Sequence, residues 1–278
     1  MMLSYLNIRG IPLACREKNR GRENAIVFIH GNSGSSCAWN KQMNSALQDH
    51  YRLIAFDLPA HGQSSVSPDP ADDYNLKGLG RIMAKAVQTL LPEGNYILAG
   101  VSVGTNIIAE MLLHGVKPRG LVLAGACIAG GDYTLDKIFL PGTDTAFLFQ
   151  DHLPAEVVEK GYKAAIPTTG PADLQQVIKD YFTVRSPFRS TLLQSIAGGI
   201  YGNEPEMVQQ SGEPVLLVFG KDEKAVNPDY LDDAPFLLWK NKIIKLPGGH
   251  FIQLDQPDTF NDYLLAYARD AFSGFNAR

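Results

Sequence analysis

The chain has little of what would mark a secreted, membrane-spanning or nucleic-acid-binding protein. Cysteine is scarce: Cys15, Cys37 and Cys127 are three in 278 residues, odd in number and far apart. That spacing excludes a disulfide framework and a zinc knuckle and reads as free core thiols in a reducing compartment. No apolar run approaches the roughly 20 residues of a membrane helix. The opening stretch carries Asn7 and Arg9 where a signal peptide needs unbroken apolar residues. Charge of one sign is also missing, since 25 basic against 29 acidic residues leave −4 without long like-charge runs, which argues against a nucleic-acid partner. A soluble, cytoplasmic protein with a small-molecule partner is expected, monomeric or homodimeric, with nothing that calls for a metal or cofactor.

What is present is enough apolar material for a substantial core, at 45% hydrophobic residues. Short β-branched runs alternate with segments of helical period, the pattern of a mostly parallel sheet flanked by helices. Strands are expected at Ala25 to Ile29, Arg52 to Phe56, Tyr96 to Ala99, Leu121 to Ala124, Val215 to Phe219 and Lys242 to Leu246. Each is nearly continuous in apolar residues, as strands covered on both faces are. Helical spacing marks Leu76 to Leu91, Thr105 to His114 and Pro257 to Phe272, and Leu3 to Glu17 reads as an antiparallel hairpin at the sheet edge.

From about Gly130 to Pro205 the rhythm breaks. Helix-like pieces are punctuated by Pro141, Pro154, Pro167, Pro171 and Pro187. We read a core domain of residues 1–129 and 206–278 interrupted by a helical cap at 130–205. The cap's cations, Lys137, Lys160, Lys163, Lys179, Arg185 and Arg189, are expected in solvent, because an unpaired buried cation is costly.

The chemistry is concentrated in four places. Gly100-Val101-Ser102-Val103-Gly104 follows one expected strand and opens a helix, a sharp turn that lifts the serine hydroxyl above the sheet edge. A serine hydroxyl is a weak nucleophile near neutral pH and needs a base, which in turn needs an orienting acid. His250, in the loop between the last strand and the last helix, emerges at the same carboxyl edge. The loop after the fifth parallel strand, Gly220-Lys221-Asp222-Glu223, offers two adjacent carboxylates, either of which can hold the imidazole tautomer, with Asp132 a more distant candidate. The turn His30-Gly31-Asn32-Ser33-Gly34 can present the Asn32 N–H toward Ser102, and the Val103 N–H at the helix start supplies a second oxyanion donor. The Asp57 to Ser64 turn is assigned a structural role.

These motifs in this order, with the Asp57-Leu58-Pro59-Ala60-His61-Gly62 turn and the Gly249 to Pro257 segment, make the chain resemble the α/β-hydrolase superfamily along nearly its whole length. The turn around His30 is similar to that of the haloalkane dehalogenase, epoxide hydrolase and C–C hydrolase branch, whose members carry a helical cap where the insertion falls. Ser102 in place of the aspartate used by two of those groups implies ester, thioester, lactone or C–C acyl cleavage without a cofactor. The family register, three residues past Gly220, selects Glu223, whereas residue type favours Asp222. The resemblance therefore implies a Ser-His-acid hydrolase, and apolar cap walls over Ser102 would favour short uncharged acyl esters; a C–C bond hydrolase, a cofactor-free perhydrolase, a thioesterase or a non-enzymatic small-molecule receptor are the other uses of the same fold.

Overall fold

The computed structural model describes residues 1–142 and 144–274. Eight strands form one sheet: β1 (Met2–Ile8), β2 (Ile11–Lys18), β3 (Ala25–Ile29), β4 (Arg52–Phe56), β5 (Tyr96–Val101), β6 (Leu121–Ala124), β7 (Val215–Gly220) and β8 (Ile244–Leu246). Their spatial order is β1-β2-β4-β3-β5-β6-β7-β8. The β1–β2 hairpin pairs antiparallel with itself and with β4, and every later pairing is parallel. Strands β3, β5, β6 and β7 are buried at every position, which is why the sequence shows them as unbroken apolar runs.

Strand β8 begins two residues later than its composition suggests. Lys240 and Asn241 both adopt left-handed backbone at φ 55° and 53°, so Lys242 still closes the short turn Trp239–Asn241 and cannot yet pair. The helix after β5 begins earlier than its periodicity indicates, at Val103, directly behind the turn at Ser102.

Two helices cover the face of the sheet near the site. Helix Leu76–Leu90 starts on Asn75, whose side chain accepts the Gly78 N–H, and buries Leu79, Ile82, Met83, Ala86 and Val87 on one stripe. It crosses helix Val103–Leu112 at Gly80, where an added Cβ would lie 2.5 Å from Glu110 Cβ. Between β6 and β7 the described residues hold the helices Leu135–Ile138, Ala155–Ala165, Pro171–Tyr181, Phe188–Ala197 and Glu204–Ser211 and no strand. Phe147, Tyr162 and Tyr181 from this segment pack edge-on and tilted with Val158 and Val177 in a cluster of their own, joined by Leu254 from the far side of the chain.

Alanine at an ordinary helical glycine adds up to about 1 kcal/mol of stability, but overpacking costs about 1–3 kcal/mol. At Gly80 the second effect wins because the obstructing atom is a Cβ bound to a packed helix. Gly80→Ala is therefore expected to lower the free energy of urea unfolding by about 1–2 kcal/mol, a loss that an unfolding titration reads directly.

Candidate active site

The turn after β5 is built by crowding. Ser102 sits at φ 54°, ψ −129°, a strained conformation for a residue with a side chain. A Cβ on Gly104 would come within 2.4 Å of the Ile29 carbonyl oxygen, and one on Gly100 within 2.7 Å of Gly104 itself. The two glycines let strand, turn and helix pass closely enough to force Ser102 outward. On the other side Gly31 is equally obligatory, because a Cβ there would lie 2.9 Å from Ser102 Cβ. The turn after β3 thus lies directly against the serine.

His250 Nδ1 is 2.7 Å from Glu223 Oε1, and both side chains are buried. The second Glu223 oxygen accepts the Ala225 and Val226 N–H groups at 3.4 and 3.3 Å. Asp222 points elsewhere: it accepts the Gly248 N–H at 2.9 Å and its own N–H donates to the Gly248 carbonyl at 2.8 Å. Of the two carboxylates, Glu223 alone reaches the imidazole, while Asp222 staples the β7 loop to the segment that carries His250. Asp255 adds to this support by accepting the Gly249 N–H at 2.8 Å. Burial by itself would lower the His250 pKa, but the Glu223 carboxylate outweighs it and holds the ring above its ordinary value.

The turn after β3 is fastened from below by groups that take no part in the cavity. His30 Nδ1 donates to the Gly31 carbonyl at 2.7 Å, leaving Nε2 to accept the Leu58 N–H at 3.0 Å. His61 Nε2 accepts the Ser33 N–H at 3.3 Å. Asp57 receives the Ser36 and Gln63 N–H groups at 2.6 and 2.8 Å, so it ties the turns after β3 and β4 together. Burial pushes both histidines below the usual range and keeps them neutral. Among the described residues the Asn32 N–H donates to no backbone carbonyl, and the Val103 N–H lies in a first helical turn, where backbone donors lack intrahelical partners.

Asn32, Ser102, Val103 and His250 all border one cavity of about 220 Å³. Its walls are apolar, with Leu135, Phe139, Phe149, Ile166, Leu193 and Ile196 among them, and no lysine, arginine, aspartate or glutamate lines it among the described residues. Ser102 Oγ rests 3.8 Å from Cys127 Sγ rather than bonded to His250. Burial raises the Cys127 thiol to about 12, which keeps it protonated near neutral pH. All three cysteines are free, with Cys37 only half-buried. No group of three or more His, Cys, Asp or Glu that could hold a metal occurs among the described residues.

Asn106, Thr145, Tyr162 and Tyr201 also line the cavity, positions that sequence reasoning does not assign to the site. No local motif marks them. Asp132 is exposed, and the carboxylate on His250 Nδ1 is that of Glu223. One expected surface cation is in the interior: Arg189 is 1% exposed, its guanidinium 3.6 Å from the centre of the Tyr181 ring. Stacking on an aromatic face and donating to backbone carbonyls makes such burial tolerable.

The family model for the alpha/beta hydrolase fold matches residues 24–257. The chain is an α/β hydrolase. Among solved structures it is similar to the N-acyl homoserine lactonase AidH in complex with N-butanoyl homoserine, at 25% identity and TM-score 0.90 over 100% of both chains. The esterase RhEst1 from Rhodococcus shares the fold at 21% identity and TM-score 0.76, covering 97% of this chain and 98% of its own. Among curated proteins, mouse Protein ABHD8 is 29% identical over 250 residues, which are 86% of this hydrolase and 54% of ABHD8. The hydrolase thus spans about half the length of that relative. The 2-hydroxy-6-oxo-6-(2'-aminophenyl)hexa-2,4-dienoic acid hydrolase of Metapseudomonas resinovorans is 23% identical over 275 residues, 95% of this chain and 89% of its own. No helix among the described residues is long and apolar enough to cross a membrane.

The imidazole of His250 is expected to titrate above about 6.5, the value of an unperturbed histidine. Glu223→Gln removes the charge that outweighs burial and should lower the midpoint, whereas Asp222→Asn should leave it nearly unmoved. An NMR titration of the ring protons distinguishes the two substitutions.

Proposed function

We propose that this hydrolase cleaves small, uncharged carboxylic esters, lactones among them, through an acyl-enzyme on Ser102. The observation that carries the reading is the 2.7 Å contact between His250 and Glu223 beside a strained serine in one uncharged cavity. His250 Nε2 takes the Ser102 proton as Oγ attacks the carbonyl carbon. Glu223 holds Nδ1–H and stabilises the imidazolium that forms. The Asn32 and Val103 N–H groups receive the charge on the carbonyl oxygen. Collapse expels the alcohol, which takes the proton back from His250, and water repeats the sequence to release the acid.

The cavity argues for substrate size and charge. At about 220 Å³ it lies below the roughly 300–1,000 Å³ of sites for drug-sized ligands, and a charged acyl group would find no counter-ion on its walls. Likeness to the lactonase over the full chain supports including N-acyl lactones in that class.

Ser102→Ala should lower kcat by about 10⁴-fold or more, as loss of a triad member does. A fluorophosphonate should label Ser102 stoichiometrically in the parent; a folded parent that resists labelling would mean a receptor rather than an enzyme. A panel of p-nitrophenyl esters and homoserine lactones of varied acyl length and charge tests the substrate class, and a best substrate with a carboxylate on its acyl side would overturn it. Because the base must be neutral, kcat/KM should rise with pH along a limb whose midpoint lies above about 6.5. Glu223→Gln should move that limb toward acid while reducing the rate.

A further inference from the structure

The turn that carries Asn32 is gripped from above as well as from below. Asn32 Nδ2 donates to the Leu148 carbonyl at 2.8 Å, Arg189 Nε donates to Ser33 Oγ at 2.8 Å, and Ser35 Oγ donates to Asp180 Oδ2 at 2.8 Å. All three partners belong to the segment between β6 and β7. Ser33 Oγ, which accepts from Arg189, donates its own O–H to Asn32 Oδ1 at 3.1 Å. An unbroken chain of donors therefore runs from a buried cation, through Ser33, to the side-chain amide of Asn32, which borders the same cavity as Ser102. Ser33 itself is strained, at φ 60°.

The surroundings of Arg189 are unusual for a stability device. It makes no ion pair with a carboxylate among the described residues. Besides Ser33, its guanidinium donates to the carbonyls of Tyr181, Gln150 and Asp151, while the Asp151 carboxylate accepts the Arg189 backbone N–H, at 3.1 Å, and the Ser190 hydroxyl rather than the guanidinium. Burying a charge with neutral partners costs free energy that an apolar side chain of similar length would not. What the position gains is direction: a planar fork can hold Tyr181 with one arm and Ser33 with another, which a lysine cannot do. A cation that polarises the chain toward Asn32 also favours negative charge at the oxyanion more than at the neutral ester.

We infer that Arg189 is a positioning residue: reaching down from the segment that roofs the cavity, it fixes the oxyanion turn through Ser33 and orients its charge toward the developing alkoxide. The inference rests on the acyl-enzyme reading of Ser102. It makes the roof part of the catalytic apparatus, since a roof displaced from the core releases Asn32, Ser33 and Ser35 together.

The test compares Arg189→Met, Ser33→Ala and the double variant on p-nitrophenyl butanoate, with rates referred to the fraction of Ser102 titrated by a fluorophosphonate and thermal midpoints read in parallel. Each single variant should lose about 10- to 100-fold in kcat with KM changed only a few-fold. The double variant should be no worse than the worse single one, because both break one chain. Arg189→Lys should recover only part of the loss. Ser33→Ala leaves every other Arg189 contact in place, so it decides the question even if Arg189→Met folds poorly. Variants that keep kcat within about threefold of the parent per titrated site, or losses that multiply in the double variant, overturn the inference. A parent that is not labelled overturns the hydrolase reading and this inference with it; a reactive parent with unaffected variants overturns the inference alone.

Discussion

The site depends on one crowded crossing, where the backbone of β3, the end of β5 and the first turn of the helix behind Ser102 pass within contact of one another. A Cβ at Gly31, Gly100 or Gly104 would fall inside 3 Å of a backbone atom or of Ser102 itself, so the packing has no slack to distribute. The left-handed conformation at Ser102 is the local cost. Its return is a hydroxyl that stands clear of the sheet and abuts the Asn32 turn. Everything else at the site is placed relative to this crossing: β7 and β8 deliver Glu223 and His250 to the same edge, and the segment after β6 closes over them.

Much of this was legible in the residues because the sheet is buried on both faces. Continuous apolar runs located β3 to β7 nearly to the residue, and the glycines around Ser102 named the crossing before any coordinate did. What escaped the sequence was orientation. Asp222 and Glu223 are neighbours of the same charge, and only the return of the chain past Gly248 decides which of them faces His250. Arg189 escaped for a related reason. Nothing near it in sequence announces that the Tyr181 ring and carbonyls from another turn will surround it, so a rule drawn from the cost of buried charge placed it in solvent. The late start of β8 has a smaller cause of the same kind, two residues in left-handed backbone that composition does not reveal.

The groups beneath and above the Asn32 turn differ in character. Below, His30, His61 and Asp57 form a neutral-imidazole and carboxylate framework that satisfies backbone N–H groups and belongs to the core. Above, the partners come from the segment of helices between β6 and β7, whose aromatic cluster of Phe147, Tyr162 and Tyr181 shares Leu254 with the core. The turn is therefore the place where two bodies of packing meet, one anchored to the sheet and one to the roof. Its geometry reports on both.

The uncharged cavity wall also bears on how a turnover ends. On the proposed reaction a neutral ester becomes a carboxylic acid that ionises as soon as its proton is taken up, leaving an anion against Leu135, Phe139 and Ile196, with no lysine or arginine among the described residues of the wall to retain it. The same walls that admit the substrate therefore reject what it becomes. On that reaction the solvation of the carboxylate in bulk water favours its departure.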